Sequence, residues 1–194
     1  MLMVNGDPSL VEAALLGGWL TGSCCGGVLA PWAHASERTL RGFGSEAVLR
    51  PRRGRCRGCG VTHVLLPDGC LLRRRDSVEV IGSALVQHVA GVGHQRIAAR
   101  LGVPASTVRG WLRRFRMSAA ETARFFIRWF LVLAPASDLP TSSGTAIADA
   151  VEAIGLAARA AIRRFGVAGP WHIAARLTGG GLLSNTGSLW SVPV

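Results

Sequence analysis

The sequence of 194 residues contains no lysine and no tyrosine, and it has only 11 carboxylate side chains. All 22 basic residues are therefore arginines, and the formal net charge is +11. No apolar run reaches about 18 residues, which argues against a transmembrane helix. The first 20 residues contain Asp7 and Glu12 but no basic residue, which is unlike a secretory signal. These absences predict a cytoplasmic protein without a membrane partner.

Motifs of common catalytic centres are also missing. The sequence has no Walker loop, no dinucleotide-binding glycine fingerprint, no nucleophile elbow and no His-Glu-x-x-His pair. A transposase catalytic domain needs three spaced carboxylates that hold two metal ions. After residue 116 only Glu121, Asp138, Asp149 and Glu152 remain, on predicted helices or in a linker. We therefore expect a protein that is not an enzyme, and no small-molecule substrate is evident.

The positive charge is concentrated in the middle of the chain. Residues 50–128 hold 16 of the 22 arginines and 4 of the 11 acidic residues. Such a block needs an anionic partner, and nucleic acid is the commonest one. Binding of single strands or RNA by the basic ribbon at residues 21–75 is a weaker interpretation, because its aromatic side chains are few, Trp32 and Phe43.

Five cysteines occur, and four of them form two pairs: Cys24 with Cys25 and Cys56 with Cys59. In a reducing compartment this pattern favours metal ligands over disulfides. Cys56-Arg-Gly-Cys59-Gly60 has the form of a zinc knuckle.

The second knuckle is damaged, because its frame places Gly22 where the first ligand belongs and Cys25 at the second ligand position. Cys25, Cys56 and Cys59 are then three zinc ligands. The fourth is Cys24 after a local shift, His34 or His63. The alternative is that no metal binds and the Cys24-Cys25 pair is incidental.

Patterns along the chain predict a mainly α fold: a small degenerate zinc ribbon, a helix-turn-helix bundle and a C-terminal helical pair. The first predicted segment is a helical segment at residues 1–20, followed by the ribbon at 21–75 and the helix-turn-helix at 76–116. The C-terminal segment, residues 117–194, contains two helices and a Gly-rich tail. Short strands are expected at Thr39–Phe43, Ala47–Arg50 and Thr62–Leu66. Helices are expected at 8–20, at 76–90, from a capping pattern at Ser118 up to Leu133, and at 145–165.

Residues 94–114 fit a helix-turn-helix frame that starts at His94. Gly102 falls where the turn needs a positive φ, and Ala98 falls where the two helices cross and only a small side chain fits. Pro104 begins the second helix. The inward positions of the frame are all apolar: Ile97, Leu101, Val103, Val108 and Trp111.

The same frame predicts which side chains contact DNA. The residues presented to the groove are Ala105, Ser106, Arg109, Gly110 and Arg113. Arg109 and Arg113 can reach a guanine edge or a phosphate. Ser106 and Thr107 suit phosphate or base contacts at the start of the helix. The expected clamps on the DNA backbone are Arg96, Arg100, Arg114 and Arg116. The sequence thus predicts a double-stranded DNA-binding protein.

An aromatic stripe after the helix-turn-helix motivates an alternative function. Phe125, Phe126, Trp129 and Phe130 form a face that is too apolar to leave exposed. The stripe packs either within the chain, which we favour, or against a partner, which would make the protein an interaction adaptor. A homodimer through these helices also remains open and would imply a palindromic DNA site.

The order of these segments resembles actinobacterial proteins of unknown function that carry an N-terminal zinc ribbon and a transposase-like helix-turn-helix. Three segments carry the resemblance, Arg55–Pro67, Asp76–Gly82 and His94–Phe115, and it spans residues 22–116. It implies DNA binding, as a transcriptional regulator or a non-catalytic transposase relative, and no enzymatic activity. The chain departs from that pattern at Gly22, where a cysteine is expected.

Overall fold

The computed structural model describes residues 1–166 and 169–184, which form a small sheet, a hairpin and a helical body. The strands are β1 (Leu2–Val4), β2 (Leu29–His34), β3 (Arg38–Arg41), β4 (Glu46–Leu49), β5 (Arg52–Cys56) and β6 (Thr62–Pro67). The helices are α1 (Pro8–Leu16), α2 (Val78–Val89), α3 (His94–Leu101), α4 (Ala105–Leu133), α5 (Ala146–Phe165) and α6 (Pro170–Leu177). This mainly α architecture with N-terminal strands agrees with the predicted class. The predicted tail lies partly outside the described residues.

The ribbon consists of a four-stranded sheet with the order β1-β6-β5-β2 and a separate β3-β4 hairpin. β1 and β6 run parallel, whereas the other neighbouring strands are antiparallel. A core of Val4, Val11, Leu15, Leu29 and Leu65 packs the sheet against α1. Because this core is small, the ribbon needs additional support.

The helical body encloses the main core, and each of its helices contributes buried side chains. Ser77 caps α2, since its side chain accepts a hydrogen bond from the Val80 N–H at 3.3 Å. Thr145 caps α5 in the same way through Ala148. Both caps confirm helix starts that the sequence predicts.

The predicted helix start at Ser118 is wrong, because α4 continues without a break from Ala105 to Leu133. The Ser118 hydroxyl donates to the Phe115 carbonyl of its own helix instead of capping a new one. Ala119, Thr122 and Phe126 prolong the buried stripe, so packing favours one helix. The predicted division between residues 116 and 117 therefore falls inside α4.

The aromatic stripe packs inside the chain. Phe125, Phe126 and Phe130 are buried, and Phe125 and Phe126 stack edge to face with ring centroids 5.2 Å apart. Trp129 is half-buried at the rim of the same core. These four side chains, which motivate the adaptor alternative, thus belong to the interior that α4 shares with α5.

Two buried carboxylates join the ribbon to the helical body. Asp68, after β6, pairs with Arg176 of α6. Asp76, before α2, pairs with Arg41 of β3 at 3.0 Å. Backbone bonds between Arg41 and Ser77, and between Leu72 and Gly180, reinforce this junction. Because removing one partner of such a pair leaves an uncompensated buried charge, these contacts hold the two parts together.

Gly82 of α2 provides a test of the packing between α2 and α6. A Cβ at Gly82 would lie 2.1 Å from the Trp171 indole of α6, which a rigid ring cannot accommodate without moving. We expect Gly82→Ala to lower the free energy of unfolding by about 1–3 kcal/mol, the usual cost of overpacking. Urea denaturation measures this change.

Gly155→Ala in α5 is the matched control for that substitution. Its Cβ would meet only the flexible Arg159 guanidinium, at 3.3 Å. Alanine should therefore stabilise the helix by about 0.5–1 kcal/mol. Shifts of the same sign in both variants would contradict the predicted α2–α6 contact.

Candidate nucleic-acid interface and candidate metal centre

α2, α3 and the first turns of α4 form a three-helix unit around a left-handed turn. Gly102 ends α3 with φ of 66°, and the Val103 N–H donates to the Ala98 carbonyl at 3.1 Å. Ile97 and Ala98 are buried where α3 crosses α4. Pro104 is the N-cap residue, and α4 begins at Ala105, one residue after the predicted start. This geometry is that of a helix-turn-helix.

The predicted inward positions lie against the core. Val108 and Trp111 are buried, and Leu101 and Val103 are half-buried against the same cluster. Leu112 and Phe115 are also buried on α4, although the frame did not include them. The first turns of α4 thus have one apolar face fixed to the body and one face directed to solvent.

The predicted DNA-contacting side chains occupy this solvent face and its borders. The exposed ones are Arg96, Arg100, Ser106, Arg109, Arg113 and Arg116, and the half-buried ones are Ala105, Thr107 and Arg114. Arg100 donates to the Gln87 side chain of α2 at 3.1 Å, and Arg114 donates to the Gly110 carbonyl at 3.2 Å. Arg109 and Arg113 lie one helical turn apart, so their guanidinium groups can point in the same direction.

The electrostatics of this surface favour an anionic partner. Residues 94–116 contain six arginines and no carboxylate. Nothing acidic within the segment therefore neutralises the guanidinium groups, and their potentials add over one face. A phosphate backbone offers the matching charge.

The four paired cysteines converge at one end of the sheet. The sulfur atoms of Cys24, Cys25, Cys56 and Cys59 all lie within 4.8 Å of one another. A zinc ion with four thiolates at about 2.3 Å in a tetrahedron requires sulfurs about 3.8 Å apart. The measured Sγ–Sγ distances are 3.0 Å for Cys24–Cys59, 3.4 Å for Cys25–Cys56 and 3.9 Å for Cys24–Cys25. The donor set therefore fits a zinc ion.

Both knuckles have the same backbone even though one lacks its first cysteine. Gly26 and Gly60 follow Cys25 and Cys59 with φ of 69° and 73°. Each glycine donates its backbone N–H to the carbonyl of the first residue of its knuckle: Gly26 to Gly22, and Gly60 to Cys56. A Cβ on Gly22 would lie 3.2 Å from the Cys24 sulfur. Cys24 thus occupies the space beside the empty ligand position.

The other candidates for the fourth ligand differ in position. The His63 Nε2 atom lies 3.4 Å from the Cys24 sulfur, so this ring borders the cysteine cluster. His34 pairs with Arg52 at the end of β2 remote from Cys56. Of the three alternatives, the geometry therefore favours Cys24 as the ligand with His63 beside it.

The thiol environment is suited to a metal ion. A hydrogen bond from the Cys59 backbone, aided by the Cys25 thiol, lowers the pKa of Cys56 to about 6. Cys56 is then mainly a thiolate at neutral pH, the form that binds metals. A hydrogen bond with the Cys24 side chain raises the pKa of the Cys59 thiol. A Cβ on Gly27 would lie 2.7 Å from the Cys56 sulfur, so glycine is needed to bring the chain this close.

Comparison with known proteins identifies the helix-turn-helix. Residues 82–122 match the family model of a homeodomain-like domain. The match spans most of α2, all of α3 and the first part of α4, which are the elements of the geometric unit. A homeodomain-like helix-turn-helix domain points to DNA binding. Neither the curated proteins nor the solved structures gave a match to this chain.

No helix among the described residues is long and apolar enough to cross a membrane. The longest, α4, contains six arginines between Arg109 and Arg128. This observation agrees with the absence of long apolar runs in the sequence.

Proposed function

We propose that the protein binds double-stranded DNA by placing the first turns of α4 in the major groove. The observation that carries the proposal is the helix-turn-helix itself, with its buried apolar face and an acid-free arginine face opposite. Arg109 and Arg113 read base edges. Ser106 and Thr107 contact phosphates or bases at the start of the helix. The side chains that contact the phosphate backbone on either side are Arg96, Arg100, Arg114 and Arg116. Ala105 lies where the helix approaches the bases.

The continuous α4 explains how the DNA-contacting turns are held in position. Its 29 residues span about 43 Å at 1.5 Å per residue. The first turns carry the reading side chains, while Phe126 and Phe130 anchor the other half against α5. The reading face is therefore fixed to the body by one rigid element, as precise base readout requires.

We further propose that Cys24, Cys25, Cys56 and Cys59 bind one structural Zn²⁺. When bound, the ion crosslinks two loops of a ribbon whose apolar core is small. Its role here is to hold β2 and β5 in position beside the helical body. A non-catalytic role as a regulator or transposase relative is the function class we favour, because the sequence lacks catalytic motifs.

Binding to short labelled DNA tests the main proposal. We expect wild-type protein to bind duplexes more tightly than single strands, with an affinity that falls steeply between 50 and 200 mM salt. The four phosphate contacts correspond to about a 10²-fold loss over that range. Fluorescence anisotropy measures both quantities. Equal binding of single strands and duplexes would favour the single-strand alternative instead.

A further inference from the structure

A second arginine cluster lies outside the helix-turn-helix, in a groove of about 560 Å³ between the β3-β4 hairpin and the segment before α2. We call it the arginine groove, and the lining residues used below are Glu37, Arg38, Thr39, Arg73, Arg74 and Arg75. We propose that this groove binds the phosphate backbone of the same DNA duplex that α4 reads. The inference rests on the proposed function and adds a second contact site to it.

The groove has an uncompensated positive charge. Four arginines line it and a single carboxylate, Glu37, faces them. Arg73 and Arg75 are exposed, whereas Arg74 is half-buried and its guanidinium donates to the Leu183 carbonyl. Phosphate oxygens are acceptors that suit several guanidinium groups at once.

Arg73 lies in a turn in which the Arg74 N–H donates to the Leu71 carbonyl at 3.2 Å. Arg73 has φ of 58°, and it is the only non-glycine residue with a positive φ in residues 1–166 and 169–184. Glycine would adopt this conformation freely. Non-glycine residues in this conformation are enriched at ligand-binding sites. The exposed Arg73 guanidinium is the group that the strained turn presents.

Two hydrogen bonds fix the position of the arginine segment that lines the groove. The Arg41 N–H donates to the Arg75 carbonyl at 2.7 Å, which joins β3 to the arginine segment. Arg74 donates to the Leu183 carbonyl at 3.0 Å. Burial lowers the pKa of Arg74, and the charges of Arg114 and Arg73 lower it further. The arginine segment 73–75 runs directly into α2, the first helix of the three-helix unit, so the groove adjoins that unit.

A double variant, Arg73→Gly with Arg75→Gln, tests the inference. Glycine relaxes the turn while removing a guanidinium, so the variant should fold with a Tm close to wild type. We expect its affinity for duplex DNA to fall about 10- to 100-fold at 0.15 M salt. The salt slope should decrease by about 1.8, that is, 0.9 for each of two lost phosphate contacts. The preferred base sequence should not change.

The matched control removes two exposed arginines from α5, Arg159→Gln with Arg163→Gln. They lie toward the C-terminal end of α5, where Phe165 and Trp129 line one cavity near the end of α4 remote from the reading turns. This control should keep wild-type affinity and salt slope. Phosphate ethylation interference on the same duplex should show contacts outside the helix-turn-helix site that only the groove variant loses.

Two results would overturn the inference and separate it from the proposed function. If wild type selects a sequence and the groove variant keeps its affinity, salt slope and ethylation pattern, only the groove assignment is wrong. If wild type does not bind duplex DNA, both proposals are wrong.

Discussion

Replacing Arg109 and Arg113 with alanine is expected to abolish most of the discrimination between a preferred duplex and random DNA. Each side chain contributes about 1–3 kcal/mol if its guanidinium forms a bidentate contact with guanine. Both side chains are exposed and one turn apart, so the substitutions leave the apolar face of α4 intact. Competition binding with the preferred duplex and a random duplex measures the ratio of affinities.

The control for this prediction is the variant Arg96→Ala with Arg100→Ala on α3. These side chains are expected to contact phosphates, so the variant should lose affinity for both duplexes by the same factor and keep the ratio. A double Arg109→Ala, Arg113→Ala variant that still prefers its duplex as wild type does would show that these arginines do not read bases.

Loss of the metal site should have the second large effect. We expect the purified protein to contain one zinc ion per chain and Cys56→Ser to contain none. At free zinc 1,000-fold above the dissociation constant, binding adds about 4 kcal/mol to stability, and the variant forfeits this contribution. Elemental analysis and thermal unfolding, with and without a chelator, measure both effects.

Cys70→Ala is the control for the metal prediction, because Cys70 is buried outside the cysteine cluster. The substitution removes packing contacts in the core, but the variant should retain one zinc ion. The fourth ligand is tested by Cys24→Ala after cobalt substitution, since losing a thiolate ligand weakens the sulfur-to-cobalt absorption. An unchanged spectrum would show that Cys24 is not a ligand and would favour His63 instead. A wild-type protein that contains no zinc would contradict the proposed metal site.

The helix-turn-helix could be predicted from sequence because each of its constraints is local. A glycine at the turn, a small residue at the crossing and apolar residues at helical spacing are all visible at Gly102, Ala98 and Val108. The boundary at Ser118 could not be predicted, because the capping pattern there competes with tertiary packing. Burial of Ala119 and Phe126 decides that competition, and burial depends on α5.

The ribbon was harder to predict for a related reason. The sequence predicts β3, β4 and β6 within one or two residues, but it does not indicate β1, β2 or β5. β5 consists largely of arginine, and β2 contains a proline, so neither shows apolar alternation. Long-range pairing forms these strands. Backbone hydrogen bonds of Arg41 with Arg75 and Ser77 bring the β3-β4 hairpin to the segment before α2 and so create the arginine groove.

Selection of duplexes from a random pool is the decisive measurement for base readout by α4. Wild type and the double Arg109→Ala, Arg113→Ala variant are compared side by side at physiological salt. We predict that wild type enriches a defined sequence and that the variant enriches none. The symmetry of that sequence also reports whether one or two copies bind. Salt-sensitive binding by wild type without any enrichment would contradict base reading and reduce α4 to a phosphate clamp.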